Sequence, residues 1–272
     1  MRFAAVGLVL LVCCGAVPAY AQSRQVHTLE EPELHFFYPL VTRRPVIERE
    51  LEFQLNHTKG LDARETEATV AIEWPILPRL QFEVEVPFVV LDPNEGKAVA
   101  GFSDIELQAK LQVFKSVQHR ALVAFGLEYK LPSGSRARGL GGEHAIEPFL
   151  TAGMAIGPFD LIGEVAYEWV LNGEERPREQ EFSASLAIAY PASRWFTPLL
   201  ELVTVTQTRG PAGTEREQGG EESLRHKTQV YLVLGFNIRP RPGWTLRAGV
   251  QVPVTTAKSF DYRFLSALVI EF

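Results

Sequence analysis

The chain has 272 residues, 46% of them hydrophobic and 22% charged, and a formal net charge of −6. An acid surplus without a Lys/Arg cluster argues against nucleic acid as a partner. Its two cysteines, Cys13 and Cys14, lie together near the start, so the remainder can hold neither a disulfide nor a thiolate metal site.

The first residues read as a targeting segment. Arg2 gives a short positive region, Phe3 to Val17 is apolar, and Ala19-Tyr20-Ala21 forms a small-x-small cleavage site. Residues 1–21 are therefore expected to be a signal peptide, with Gln22 opening the mature chain. The apolar run is shorter than the ~20 residues a spanning helix needs. A lipoprotein reading fits poorly, because Val12 precedes Cys13. Residues 22–46 then break any strand pattern. Glu30-Glu31-Pro32-Glu33 is polar and turn-like, His35 to Leu40 is largely apolar, and Arg43-Arg44-Pro45 follows.

From residue 47 the chain alternates with period two in segments of about ten residues, the length of a tilted membrane strand. Twelve are expected, at 47–56, 66–74, 79–90, 103–114, 120–131, 145–156, 159–171, 181–190, 196–206, 227–238, 244–254 and 260–272. In 103–114, Ile105, Leu107, Ala109, Leu111 and Val113 share one face, and Asp104, Glu106, Gln108, Lys110 and Gln112 the other. A soluble sandwich alternates too, so the connections matter more. Long ones, at 57–65, 91–102, 132–144, 172–180 and 207–226 with a shorter 255–259, alternate with short ones at 75–78, 115–119, 157–158, 191–195 and 239–243. Short periplasmic turns and longer outer loops are the habit of outer-membrane barrels. No segment offers a spanning helix, and an open sheet edge in lipid would leave backbone groups unpaired. The fold class expected is all-β: a single up-and-down antiparallel transmembrane barrel of about twelve strands over 47–272. Residues 22–46 become a periplasmic N-terminal lead-in, lying against the mouth or inside the lumen as a small plug.

Aromatics support two interface girdles. Trp74, Phe114, Phe159, Tyr190, Phe196, Trp244 and Phe272 sit near the short turns, and Phe88, Tyr129, Tyr167, Trp169, Phe182 and Tyr262 near the long loops. The last strand ends on the terminal aromatic Phe272. Such an end resembles the closing strand of outer-membrane barrels and implies outer-membrane lipid and the barrel assembly machinery as partners.

The opposite face predicts a lumen rich in acid. Its lining candidates are Glu48, Glu50, Glu52, Glu73, Glu83, Glu85, Asp104, Glu106, Lys110, Glu128, Lys130, Glu164, Glu168, Arg247, Arg263 and Glu271. Glu67, Glu147, Asp160, Glu201 and Asp261 share that face. Arg49, near the rim, is the exception on the lipid side. Rings of carboxylates favour cations; the alternative is that these acids pair with inward Lys, Arg and Gln and fill a narrow barrel. The excess is too large for pairing alone, so water is expected inside. Few apolar residues face inward beyond Leu122, Phe149, Ile162, Tyr231 and Leu265. At the seam, Asp261, Arg263 and Glu271 are expected beside Glu48, Glu50 and Glu52, with Arg263 as counter-charge.

Enzyme chemistry finds little support. A hydrolase needs a nucleophile, a base and an orienting group. The six histidines are 27, 35, 57, 119, 144 and 226, with His57, His144 and His226 in or beside outer loops. Asp62 near His57 and Glu143 beside His144 leave a loop-based hydrolase as an alternative. Glu83/Glu85 look like paired catalytic acids but follow from strand alternation. No metal-ligand spacing and no cofactor motif is present.

Three stretches carry a family resemblance. Gly101-Phe102-Ser103-Asp104-Ile105-Glu106-Leu107, continuing to Lys110, resembles a "Gly-x-x-Asp-ϕ-x-ϕ…Lys" strand. Tyr129-Lys130-Leu131-Pro132-Ser133-Gly134-Ser135 is similar to a "ϕ-Lys-ϕ-Pro-Thr-Gly-x" strand end, and Val250-Gln251-Val252-Pro253-Val254 to a strand ending in "ϕ-Pro-ϕ". The family is the bacterial outer-membrane barrel transporter family named for the MetA-pathway of phenol degradation. The likeness spans most of 47–272 and leaves 22–46 unmatched. It implies an outer-membrane barrel and, more loosely, transport, because fold alone does not fix a cargo. The expected function is passive passage of small polar or cationic solutes, with small aromatics added by the resemblance. The alternative is a structural or accessory barrel with a blocked lumen.

Overall fold

Period-two alternation becomes strand after strand in the computed structural model, which describes residues 34–171, 180–209 and 227–272, all within one unit, Glu33–Phe272. In chain order the strands are β1 Glu50–Gly60, β2 Ala63–Leu77, β3 Leu80–Pro93, β4 Val99–Phe102, β5 Ile105–Ser116, β6 Ala121–Leu131, β7 Ala145–Ile156, β8 Phe159–Val170, β9 Gln180–Ala189, β10 Phe196–Arg209, β11 Thr228–Arg241, β12 Trp244–Pro253 and β13 Phe260–Glu271.

β4 and β5 both pair with β3, one beyond the other, so they are two halves of a single stave broken at Ser103-Asp104. Twelve staves result. All pair antiparallel with their neighbours, and β1 with β13 joins the ends into a closed barrel. Closure leaves no unpaired edge, as a barrel in lipid requires.

The outer surface is apolar. Phe53, Leu55, Val70, Ile72, Phe82, Val84, Leu107 and Leu111 all point outward. A bulge between Gln112 and Phe114 turns Val113 and Phe114 both outward, which puts Phe114 on the lipid side against the parity of its strand. Near the short turns, Trp74 meets Phe272 at 5.9 Å and Phe159 meets Tyr190 at 5.6 Å. Arg49, charged and also on this face, lies 4.1 Å over the Trp74 ring.

Two connections differ from expectation. The loop expected at 57–65 is a two-residue turn, Leu61-Asp62, because β1 and β2 run on in register past the apolar zone to Lys59↔Arg64. The loop expected at 91–102 is shortened by β3 and β4. The β1–β2 extension is polar, so it carries no apolar alternation, and β4 is only four residues long, yet the backbone ladder continues in both. The connections at 172–179 and 210–226 lie outside the described residues.

Candidate functional site

Residues 34–49 form no strand; they run inside the barrel and bond to staves around the wall. Phe36 and Phe37, each 2% exposed, pack with Val46 against Leu122, Ile162, Ala187, Ala189 and Leu199 at the short-turn end. Leu40 enters a notch between Gly235 and Gly249, which face each other across β11 and β12; a Cβ on either glycine would overlap Leu40.

Polar anchors complete the seat. Asn237 accepts from the Tyr38 N–H and donates to the Tyr38 carbonyl, both at 2.8 Å. The chain bends at 40–42, and its backbone N–H groups converge on the Glu201 carboxylate at 2.5 Å from Leu40, 3.2 Å from Val41 and 2.9 Å from Thr42. The Thr42 hydroxyl adds a fourth bond at 2.8 Å. Glu201 is 0% exposed, and this nest of N–H groups neutralises it without a cation.

Arg43 and Arg44 hold five more acids. Arg43 Nη1 reaches Glu164 at 2.5 Å, and Nη2 reaches Glu128 and Glu147 at 2.6 Å each. Arg44 bonds Glu48 at 2.7 Å and Glu50 at 3.0 Å, and lies 3.6 Å over the Tyr38 ring. Tyr38 donates its hydroxyl to Glu271 at 2.6 Å. Arg247 bonds both Glu52 and the Pro39 carbonyl.

The remaining candidates pair along the wall. Lys110 lies 3.5 Å from Glu73, and Lys130 lies 3.3 Å from Glu106 and 3.5 Å from Glu168. Gln81 donates to Glu73 and Gln108 to Glu83. Glu85 stands beside Glu83 on the same inward face of β3.

Three expectations need correction. Arg263 is not the counter-charge of Glu48, Glu50 and Glu52. Antiparallel pairing sets Arg263 opposite Thr58, whose hydroxyl it bonds at 3.0 Å, while Glu50 faces Glu271 at the other end of the seam. Asp261 likewise pairs with Lys59 at 3.0 Å near the long loops.

Asp104 is a loop clasp rather than a lumen-lining acid. It accepts the N–H groups of Gly134 at 2.7 Å, Gly142 at 2.8 Å and Glu143 at 3.1 Å. Ser133 Oγ accepts the Ile105 N–H at 2.8 Å. The Gly101–Lys110 and Tyr129–Ser135 motifs are therefore one structural unit.

The lumen also has more apolar wall than expected. Val203, Tyr231, Val233, Phe260 and Leu265 cluster with Leu40, Val41 and Val205. The acids concentrate on β1 to β8, and the apolar wall on β9 to β13. Alternation alone does not separate an inward Val from an outward one where small residues fill both faces.

His57 and His144 engage hydroxyls. His57, within β1, has Nδ1 at 2.9 Å from the Thr66 hydroxyl, and His144 Nδ1 lies 2.6 Å from the Tyr129 hydroxyl. His226 lies outside the described residues. Among the described residues no cluster suited to a metal ion occurs.

The inner segment divides the remaining space. On the long-loop side a cavity of about 370 Å³ has residues 40–44 on its floor, Glu52, Glu73, Glu83, Glu85, Glu106 and Glu128 on one wall, and Ser183, Ser185, Val203 and Val205 on the other. On the short-turn side a cavity of about 580 Å³ touches Leu34, His35, Glu48, Lys115 and Glu271.

The family described as "Putative MetA-pathway of phenol degradation" matches residues 57–264. The chain belongs to this family. Both strand motifs joined at Asp104 fall within the match. The fold is shared with the COG4313 outer membrane channel from Pseudomonas putida F1, at TM-score 0.68 and 12% identity over 87% of this chain and 100% of that one. The NanC porin follows at 0.53, 12%, 82% and 98%, and the KdgM porin at 0.52, 11%, 82% and 99%. No curated protein matches the chain in sequence.

Proposed function

We propose that this member of the family is an outer-membrane channel that passes small polar or cationic solutes by diffusion, with residues 34–49 as its internal constriction. The observation that carries the reading is the cavity floored by the inner segment, in whose lining Glu50, Glu52, Glu73, Glu83, Glu85, Glu106, Glu128 and Glu164 outnumber Arg43, Arg44, Lys110 and Arg247. Carboxylates lining a restricted path favour cations over anions. The opposing Val203 and Val205 wall gives an aromatic or aliphatic body somewhere to lie, consistent with small aromatics as further cargo. Residues 1–21 serve export, the strand ending at Phe272 serves assembly, and the long loops face outward. The reading assigns no reaction to the chain.

A second reading, an accessory barrel with a shut lumen, draws on the density of bonds that fix residues 38–44. Planar-bilayer recording of the purified protein separates the two. Stepwise currents with a cation-selective reversal potential across a salt gradient are expected. Silence of a folded barrel, or anion selectivity, would sink the channel reading.

A further inference from the structure

The short connections and the residues flanking them, 75–79, 115–120, 157–158, 191–195 and 239–243, carry Arg79, Lys115, Arg120, Arg194, Arg239 and Arg241 and no Asp or Glu. The longer connections at 57–65, 91–102 and 132–144 mix both signs. A chain with a formal net charge of −6 is therefore basic along one rim.

Two arginines on that rim are held against aromatic rings. Glu50 pairs with Glu73 on β2 and with Glu271 on β13, so Arg49, Trp74 and Phe272, one residue further along, sit side by side on the outward face. Trp244 on β12 pairs with Ile270 and continues that row. Arg49 lies 4.1 Å over the Trp74 ring, and Arg241 lies 3.7 Å over the Trp244 ring. Both arginines are exposed, and among the described residues neither guanidinium has a carboxylate or hydroxyl partner. Glu271, the nearest acid in sequence to Phe272, turns inward to Tyr38.

A guanidinium laid over an indole is held by its face and keeps its N–H edge for other partners. That edge matches the paired oxygens of a phosphate. Outward tryptophans at a barrel rim belong at the level of the lipid headgroups. Arg49 and Arg241 stand three staves apart, about 14 Å at the usual strand spacing, so each meets a phosphate of its own.

We propose that Arg49 on Trp74 and Arg241 on Trp244 are two seats for the phosphates of anionic phospholipids, placed at the short-turn rim on either side of the seam that closes the barrel. The seats lie on the lipid face and do not depend on conduction through the lumen.

The test follows tryptophan fluorescence in phosphatidylcholine vesicles as brominated phosphatidylglycerol or brominated phosphatidylcholine is mixed in. The W169F/W195F background leaves Trp74 and Trp244 as the reporters. Phosphatidylglycerol is expected to occupy the quenching positions about fivefold better than phosphatidylcholine, the scale of one arginine near an anionic lipid. R49Q/R241Q should abolish the preference. R49K/R241K, which keeps the charge but not the planar fork, should fall between. R79Q/R194Q removes as much charge from the same rim and should change nothing.

An unchanged preference in R49Q/R241Q overturns the seats. So does an equal loss in R79Q/R194Q, which would assign the preference to the diffuse charge of the rim. If the reporter background does not fold, unfolding temperature in vesicles with and without phosphatidylglycerol is read on the chain with all four tryptophans, since a ligand of the native state stabilises it. Phosphatidylglycerol should raise that temperature in wild type and not in R49Q/R241Q, and an equal rise in both overturns the proposal. A barrel that shows the lipid preference but carries no current keeps the seats and loses the channel.

Discussion

Asn237 holds Tyr38 as a β-partner would, with its amide giving and receiving one 2.8 Å bond each to the Tyr38 backbone. A side chain on β11 thus extends the sheet's hydrogen bonding inward to a segment that has no strand of its own. N237L should leave both Tyr38 groups buried and unpaired, at about 1–3 kcal/mol per lost partner. A lowered melting temperature in detergent checks it, and N237D, which keeps the acceptor alone, should fall between.

Glu201 offers a second handle. E201Q keeps one carbonyl oxygen but turns an NH₂ toward N–H groups that now converge on a carboxylate. Bonds to a charged group contribute about 1.5–3 kcal/mol, so the bend at 40–42 should loosen more than in T42A, which loses one hydroxyl bond. Thiol labelling of a cysteine at Val41 should become faster in E201Q. Equal labelling in both backgrounds would refute the nest.

Leu40 and Gly235 should behave as a coupled pair. G235A drives a methyl into Leu40, and overpacking of this kind costs about 1–3 kcal/mol. L40A should recover part of that loss, measured as non-additivity in a double-mutant cycle. Recovery should stay partial, because the same Cβ would come 2.8 Å from the Ala248 carbonyl.

Glu48 makes the seat sensitive to acid. Burial pushes its carboxyl up, but the Arg44 guanidinium, a hydrogen bond shared with Glu50 and the nearby His35 together outweigh this and hold it at about 2, below the ordinary 4.5. A group lowered in the folded state contributes stability above its unfolded pKa and loses it as pH falls through the folded one. Wild type should therefore lose melting temperature relative to E48Q as pH drops from 4.5 toward 2, with the difference constant above 5.5.

Asp104 should act locally. D104A frees the N–H groups of Gly134, Gly142 and Glu143 and should expose the 132–144 connection to proteases while the barrel's melting temperature changes little. A global loss of folding in D104A would contradict a clasp confined to that loop.

The staves were legible because lipid on one side and water on the other impose alternation that sequence records directly. Ile105 to Lys110 is the plainest instance. Strand ends beyond the apolar zone were not legible: Thr58, Lys59, Arg64 and Glu65 look like loop, yet pair in register. Arg263 was set beside the wrong acids for a different reason: the antiparallel run of the seam carries it to the long-loop end, opposite Thr58, and away from Glu50. Arg43 and Arg44 were missed as partners because their segment has no periodicity. The unmatched acids on the inward faces were the available signal, since two adjacent arginines stood just before the first strand.

The inner segment's seat also sets an order of assembly. Its bonds reach Glu201 on β10, Asn237 on β11, Arg247 on β12 and, 233 residues away in sequence, Glu271 on β13. A stretch made early in synthesis thus completes its set of bonds only when the final strand has docked. Its settling reports that the circle has closed, so burial of Tyr38 is a natural clock for the last step of the barrel's maturation.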